Sequence, residues 1–276
     1  MFFDQLTVII TCFKSDKKIY RCLNSLNNQC KVIIIENSKD KNLKKKIEKD
    51  FSNVEFFISD NNLGYAKGNN LGLSKVKTKY ALIINPDTEV EKNTIKNFFE
   101  LIKEIQDFAI LAPISETNER ASKEKILKKV SSVKGFAMFL KLSEFEEIGF
   151  FDENFFIYLE EIDLCRRLII NNKLIYVSSE LKITHQGGKS HDEKINFEME
   201  LSRNWHWMWS NFYFNKKHNG FLIAMAKIAP KLINSIIKYF YYLIILKKKK
   251  RLIYYQRMSG ILNSIINKNS WYRPKI

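Results

Sequence analysis

A chain of 276 residues with 45% hydrophobic content can build one large core, or one domain plus an appendage, and is not a disordered polypeptide. Its four cysteines (Cys12, Cys22, Cys30, Cys165) form no CxxC pair and no zinc spacing, which argues for a reduced, cytosolic chain. The net charge of +16 is uneven: residues 1–200 balance 31 Lys/Arg against 30 Asp/Glu, whereas residues 201–276 hold 15 Lys/Arg and no acid.

Apolar runs at Leu6–Ile10, Val32–Ile35, Val54–Ile58 and Tyr80–Ile84 predict buried strands. The first lacks the cleavage site of a signal peptide. Between these runs, Lys17–Leu26, Asn42–Asp50 and Glu91–Glu104 have helical spacing. The alternation predicts βαβ units and an α/β fold with a mostly parallel sheet, Rossmann-like in its N-terminal half. Residues 114–132, rich in Lys, Glu and Ser, predict a mobile loop or weak helix. A strand at Gly135–Leu140, a short helix around Ser143–Ile148, a longer helix at Glu160–Asn171 and a strand at Leu174–Val177 follow. At Lys216 the texture turns aromatic, aliphatic and basic, which divides the chain into a main domain over 1–215 and a helical tail over 216–276.

The run Tyr80–Ile84 ends abruptly in Asn85-Pro86-Asp87. Ligands of open α/β sheets gather beyond the carboxyl ends of the strands, and a carboxylate there suits a metal ion carried by phosphates. An ordinary strand-to-turn junction uses the same residue types. Asn62–Gly72 is a Gly/Asn-rich loop opening a helix, where backbone N–H groups favour anions, although it is not GxGxxG. Lys67 within it reads equally as a ligand contact and as a surface lysine. Neighbours on a helix point about 100° apart, so only one of Glu160 and Glu161 faces a given site. Asp163 with Arg166 or Arg167 fits structural helical ion pairing. His185 opens a loop with two glycines, and Trp205–Trp209 reads as packing in preference to an acceptor groove.

Four segments, in this order, resemble the inverting glycosyltransferases of family 2, particularly the rhamnosyltransferase-like branch. They are Val8–Thr11 with Ile35–Ser38; Asn62–Gly72; Asn85–Asp87; and Gly149–Glu153 through Tyr158–Arg167 to His185–Ser190. The resemblance covers residues 6–218 or so and implies the GT-A fold. It implies transfer of a sugar from a nucleotide-diphosphate donor to a lipid-linked or polysaccharide acceptor in cell-envelope glycan synthesis. dTDP-L-rhamnose is the suggested donor, with galactofuranose or another hexose open. It places Thr11, Glu36, Asn37, Asn62, Gly64, Lys67, Asn70 and Asn85 around the donor, and Asp87 and His185 on Mg2+ or Mn2+. Glu161 stands where the family has an Asp general base, with Glu160 as competitor, and Glu36 stands where the family usually has Asp. These two exchanges keep open a reading from another class, a catalytically silent sugar-nucleotide or glycan-binding subunit. Nucleic-acid binding is disfavoured because the basic residues alternate with long aliphatic runs.

In the tail, Phe221–Leu246 is apolar but interrupted on one helical face by Lys227, Lys231, Asn234 and Lys238. A spanning helix needs ~20 residues nearly free of charge. The pattern therefore predicts an interfacial helix lying on a bilayer, kinked or split at Pro230. Lys247–Arg251 would anchor it to an anionic leaflet. The expected location is cytoplasmic, on the inner face of the cell membrane. The plainer alternative is a helical appendage packed on the core with a solvated basic edge.

Overall fold

The computed structural model describes residues 2–105, 107–114, 125–185, 187 and 191–274. They fall into two compact units, one formed by 1–152 with 161–192 and the other by 153–160 with 193–276.

The first unit carries strands β1 (Leu6–Cys12), β2 (Lys31–Glu36), β3 (Val54–Ile58), β4 (Tyr80–Ile84), β6 (Ile110–Pro113), β7 (Leu127–Lys129), β8 (Ala137–Lys141) and β9 (Ile175–Ser178) in one sheet. Their order is β3-β2-β1-β4-β8-β6-β9-β7. The β3-β2-β1-β4 half is parallel, while β8 is antiparallel to both β4 and β6. The crossovers are α1 (Asp16–Ser25), α2 (Lys41–Asp50) and α3 (Gly64–Leu73), and α4 (Thr94–Glu104) follows. β1, β2 and β4 are buried on both faces, which is why they read as unbroken Val/Ile/Leu runs and not as alternation. Tyr80, Phe98, Phe108 and Phe139 fill the core with stacked rings, the Phe98–Phe139 centroids 4.7 Å apart. The register pairs Cys12 with Glu36 and Ile10 with Ile84, so Thr11, Glu36 and Asn85 lie at one end of adjacent strands.

Three details depart from the sequence pattern. β7 lies inside the stretch expected to be loop or weak helix, paired antiparallel to β9; residues 115–124 of that stretch are outside the described residues. The short helix expected at 143–148 is a 3-10 turn over Leu142–Phe145. A separate two-stranded ribbon joins β5 (Thr88–Val90) to β10 (Ile183–His185), and strands of three residues are too short to show a period.

The second unit is built on α6 (Asn196–Asn219), α7 (Phe221–Ile244) and α8 (Lys248–Ile265), with α5 (Glu160–Ile170) beginning at the division between the units. Leu201, Trp205 and Trp209 of α6 pack with Ile253 and Tyr272; Met208 and Phe212 pack with Ala224, Ile228 and Ile261. α8 approaches α6 closely at Gly260, where a Cβ would lie 2.3 Å from the Trp205 carbonyl oxygen. Segment 153–160 is tied in by Ser210 Oγ donating to Ile157 O at 3.0 Å and Ser270 Oγ donating to Asn154 O at 2.6 Å. The division expected at residue 216 falls within the continuous helix α6, because the Trp-rich face of that helix packs against the basic helices. Trp205, His206, Met208 and Trp209 are all buried, leaving Trp207 facing outward. Pro230 neither splits α7 nor ends it, since the flanking backbone bonds carry the helix past the one that Pro deletes.

Candidate active site

The turn after β4 is locked by short-range bonds. Asn85 N donates to Phe136 O at 3.0 Å, and Asn85 O accepts from Thr88 N at 3.2 Å and Thr88 Oγ1 at 2.7 Å. The chain then enters β5, whose pairing with β10 sets Thr88 opposite His185. His185 Nε2 thereby comes to lie 3.3 Å from Asp87 Oδ1 and 3.3 Å from Asn85 Nδ2. Phe136 stacks on the imidazole at 4.9 Å and 4°, fixing its plane. Asp87 is only 4% exposed, and neither of its carboxylate oxygens accepts a hydrogen bond among the described residues. A buried carboxylate without donors is unfavourable unless a cation compensates it. The residues fit a divalent ion on that ground, and 3.3 Å is a spacing that two ligands each about 2.1 Å from one ion can share. No group of three or more His, Cys, Asp or Glu that could hold a metal occurs among the described residues. Lys18 and Arg21 of α1 line a small cleft with Asp87, Thr88 and Glu89, and Lys18 Nζ donates to His191 O at 3.1 Å. Of the residues that follow His185 in the expected loop, 186 and 188–190 are outside the described residues.

Most of the residues expected around the donor are engaged in hydrogen bonds with neighbouring loops and strands. Glu36 is fully buried and its carboxylate is taken by its own loop: Oε1 accepts from Ser38 N at 2.7 Å and from the Ser38 hydroxyl, and Oε2 accepts from Asp40 N at 2.8 Å. The carboxylate of Glu36 is thus held on the turn that starts α2. Asn37 is also buried, donating through Nδ2 to Gly64 O at 3.1 Å and accepting at Oδ1 from Ser59 Oγ at 2.9 Å. Asn62 Oδ1 accepts from Gly64 N at 3.1 Å, and Thr11 Oγ1 donates to Asn69 Oδ1 at 3.0 Å. Asn70 donates to Phe151 O at 2.9 Å and accepts from Phe151 N at 3.1 Å, a two-point clasp on a distant loop. The motif's glycines serve helix–strand contact: a Cβ on Gly68 would come within 2.5 Å of Thr11 Cγ2, and one on Gly72 within 2.6 Å of Ile9 Cγ2. Lys67 is exposed.

α5 begins just after Tyr158 and Leu159, both in the left-handed region at φ 75° and 69°. Bulky residues hold that conformation at a cost of about 1–3 kcal/mol each, and such strain clusters at functional sites. The division between the units falls between the two candidate acids, Glu160 in the second and Glu161 in the first. Glu160 is buried and Glu161 is half-buried. Glu161 sits beside Gly135, where a Cβ would lie 3.6 Å from Glu161 Cβ and 3.3 Å from the Tyr65 hydroxyl. Tyr65 in turn donates to Gly135 O. Asp163 pairs with Arg167 at 2.9 Å. Arg167 also donates to Ile148 O at 2.8 Å and to Phe150 O, so the loop before α5 is fastened by Arg167 and by Asn70. Burial pushes the thiols of Cys22, Cys30 and Cys165 up to about 12, which leaves them protonated and unsuited as nucleophiles. Sequence reasoning missed Phe136, Tyr65, Asn69 and the pair Lys18 and Arg21. For Asn69 the signal was available, since it adjoins Asn70 in the same motif.

The family described as glycosyl transferase family 2 matches residues 7–167. Hexosyltransferase Agl10 of low-salt glycan biosynthesis in Haloferax volcanii is 28% identical over 191 residues, 59% of this chain and 61% of that protein. The chain thus spans about three-fifths of that relative's length. Rhamnosyltransferase WbbL of Escherichia coli is 23% identical over 227 residues, covering 69% of this chain and 84% of that one. Among solved structures, the mannosyltransferase PcManGT of Pyrobaculum calidifontis, in complex with GDP-Man and Mn2+, superposes with a TM-score of 0.58 at 10% identity, over 96% of this chain and 88% of its own. The fold is that of the GT-A glycosyltransferases, with a helical C-terminal region.

Proposed function

This chain belongs to glycosyl transferase family 2, and we propose that it moves a hexose, L-rhamnose first among the candidates, from a nucleotide-diphosphate donor to a lipid-linked or polysaccharide acceptor of the cell envelope. The observation that carries the reading is the buried, hydrogen-bond-poor carboxylate of Asp87 held 3.3 Å from His185 at the mouth of the sheet. Asp87 and His185 would hold a Mg2+ or Mn2+ ion, which when bound neutralises charge developing on the departing diphosphate. Mn2+ accompanies GDP-Man in the structural neighbour, which supports a divalent ion. Asn85 orients the His185 ring, and Lys18 and Arg21 add positive charge beside Asp87. In this reading Thr11, Asn37, Asn62, Gly64 and Asn70 shape the donor pocket, and Lys67, which is exposed, meets phosphate. Glu161 takes the proton from an acceptor hydroxyl, whose oxygen bonds to the anomeric carbon on the face opposite the nucleotide. The bond from that carbon to the diphosphate oxygen breaks as the new one forms, and the configuration inverts. The names of the two relatives, a glycan-biosynthesis hexosyltransferase and a rhamnosyltransferase, support the substrate class. The workplace proposed for it is the cytoplasmic face of the membrane, where the basic helices meet the lipid that carries the acceptor.

The test is a screen of UDP-, GDP- and dTDP-sugars with Mg2+ or Mn2+ and lipid-extract acceptors, scored by nucleoside diphosphate release. Release with one donor, absent in Asp87→Ala, is the expected result. Donor binding with no more nucleoside diphosphate released than Asp87→Ala gives would instead identify a silent binding subunit.

A further inference from the structure

α7 buries only a narrow stripe, Ala224, Ile228 and Ser235, with Met225 and Leu232 partly covered beside it. Ile233, Ile237, Phe240 and Ile244, at intervals of 4, 3 and 4, lie on the opposite side, and Leu222 joins them three turns earlier. These side chains are 55–81% exposed, and Leu246, just past the helix, is 84% exposed. One continuous aliphatic and aromatic ridge therefore faces solvent, which isolated exposed hydrophobics do not explain. The lysines divide: Lys231 turns inward and donates to Asn211 Oδ1 at 2.9 Å, while Lys227 is exposed and Lys238 Nζ lies 5.9 Å from the Tyr241 ring.

The ridge runs into Lys247–Arg251, and this run opens α8, with Lys247 at the N-cap and no side chain capping the helix. Five cations at a helix N-terminus oppose the macrodipole, and residues 201–276 contain no acid to offset them. An anionic partner would compensate both the charges and the uncapped N–H groups. No helix of the described residues is long and apolar enough to cross a membrane. A second copy of the chain would bring like charges face to face, and nucleic acid would leave the aliphatic ridge wet.

We infer that the outward ridge of α7 inserts shallowly into an anionic phospholipid surface, with Lys227, Lys238 and Lys247–Arg251 on the headgroups. This rests on the proposed acceptor being at a membrane, but its test requires no catalysis. The full chain is floated with vesicles rich in phosphatidylglycerol and with phosphatidylcholine vesicles. About tenfold better recovery on the anionic vesicles is expected, falling about tenfold in Ile233→Asn/Ile237→Asn/Ile244→Asn and again when Lys247–Arg251 are replaced by Gln. Circular dichroism and melting check that the variants fold. As a readout that keeps the ridge intact, Ile237→Cys labelled with an environment-sensitive dye should shift to the blue on anionic vesicles; the four native cysteines are buried. Equal recovery on both vesicle types, or an unshifted dye, overturns the inference. So does a dimer in solution that the triple variant dissociates, or an RNA oligonucleotide that the triple variant binds as well as the native chain while both ignore vesicles. Nucleoside diphosphate release, assayed without vesicles, stands or falls separately: a chain that floats as expected but releases none sinks the proposed activity and leaves the lipid site in place.

Discussion

A carboxylate buried without hydrogen-bond donors is a stability liability, and among the described residues Asp87 is one. Its retention at the end of β4, beside His185, is explained if the site is built for a cation and not for the empty protein. Two opposite effects of one substitution follow. Asp87→Asn should abolish sugar transfer, yet in the presence of a chelator it should melt at the same temperature as the native chain or higher. Melting that drops by several degrees would mean the carboxylate is structural. Chelation should silence the native protein just as the substitution does. At Glu161 the expectation is kinetic: Glu161→Gln lowers the chemical step by about 10²–10⁴-fold with donor affinity nearly unchanged. Glu160→Gln is the control, and a larger loss there would move the base by one residue along α5. Glu36 is held by its own turn, both carboxylate oxygens accepting backbone N–H groups from it.

Among the elements, the long buried strands were legible because an unbroken apolar run of five to seven residues has few other uses. The ribbon of β5 and β10 was not, although it is what brings His185 to Asp87 across 98 positions. Its strands are short, and their pairing is long-range. At the Asn62–Gly72 motif a sequence shows that Asn and Gly are needed, but not that the amide of Asn70 clasps the backbone of Phe151. Packing of α8 on α6 is specific enough to test. Gly260→Ala places a methyl against the Trp205 carbonyl, and overpacking of this kind destabilises by about 1–3 kcal/mol, read as a lower midpoint in urea. His206 ties α6 to the C-terminal segment by donating from Nε2 to Tyr272 O at 2.8 Å, and burial lowers its pKa from 6.5 to about 3. Because the unfolded chain takes up this proton first, the contribution of His206 to stability is full above about pH 6.5 and is lost, by up to about 1.4 kcal/mol per pH unit, as the pH falls toward about 3. His206→Phe, which keeps a ring against Phe156, should flatten that slope in acid denaturation curves.

At the scale of the whole molecule, charge is segregated: balanced over residues 1–200 and purely cationic over 201–276. Exposed charges act on an anionic surface over about a Debye length, ~10 Å at 0.1 M salt, and each Lys or Arg near it contributes on the order of 1 kcal/mol. The chemistry proposed for Asp87 and Glu161 is local and at buried or half-buried groups, so salt screens it far less. The two contributions therefore separate under ionic strength. Turnover of a lipid-linked acceptor in phosphatidylglycerol vesicles should fall steeply as salt rises, whereas turnover of a short soluble acceptor should stay nearly level. The fall should stop short of zero, since the insertion proposed for the α7 ridge is hydrophobic and would not weaken with salt. Replacing Lys247–Arg251 by Gln should remove most of the salt dependence and lower turnover only of the lipid-linked acceptor. If both acceptors lose activity in parallel with salt, the charge acts on the catalytic unit itself. Protein that stays with the vesicles through carbonate extraction would equally rule out a surface-bound anchor.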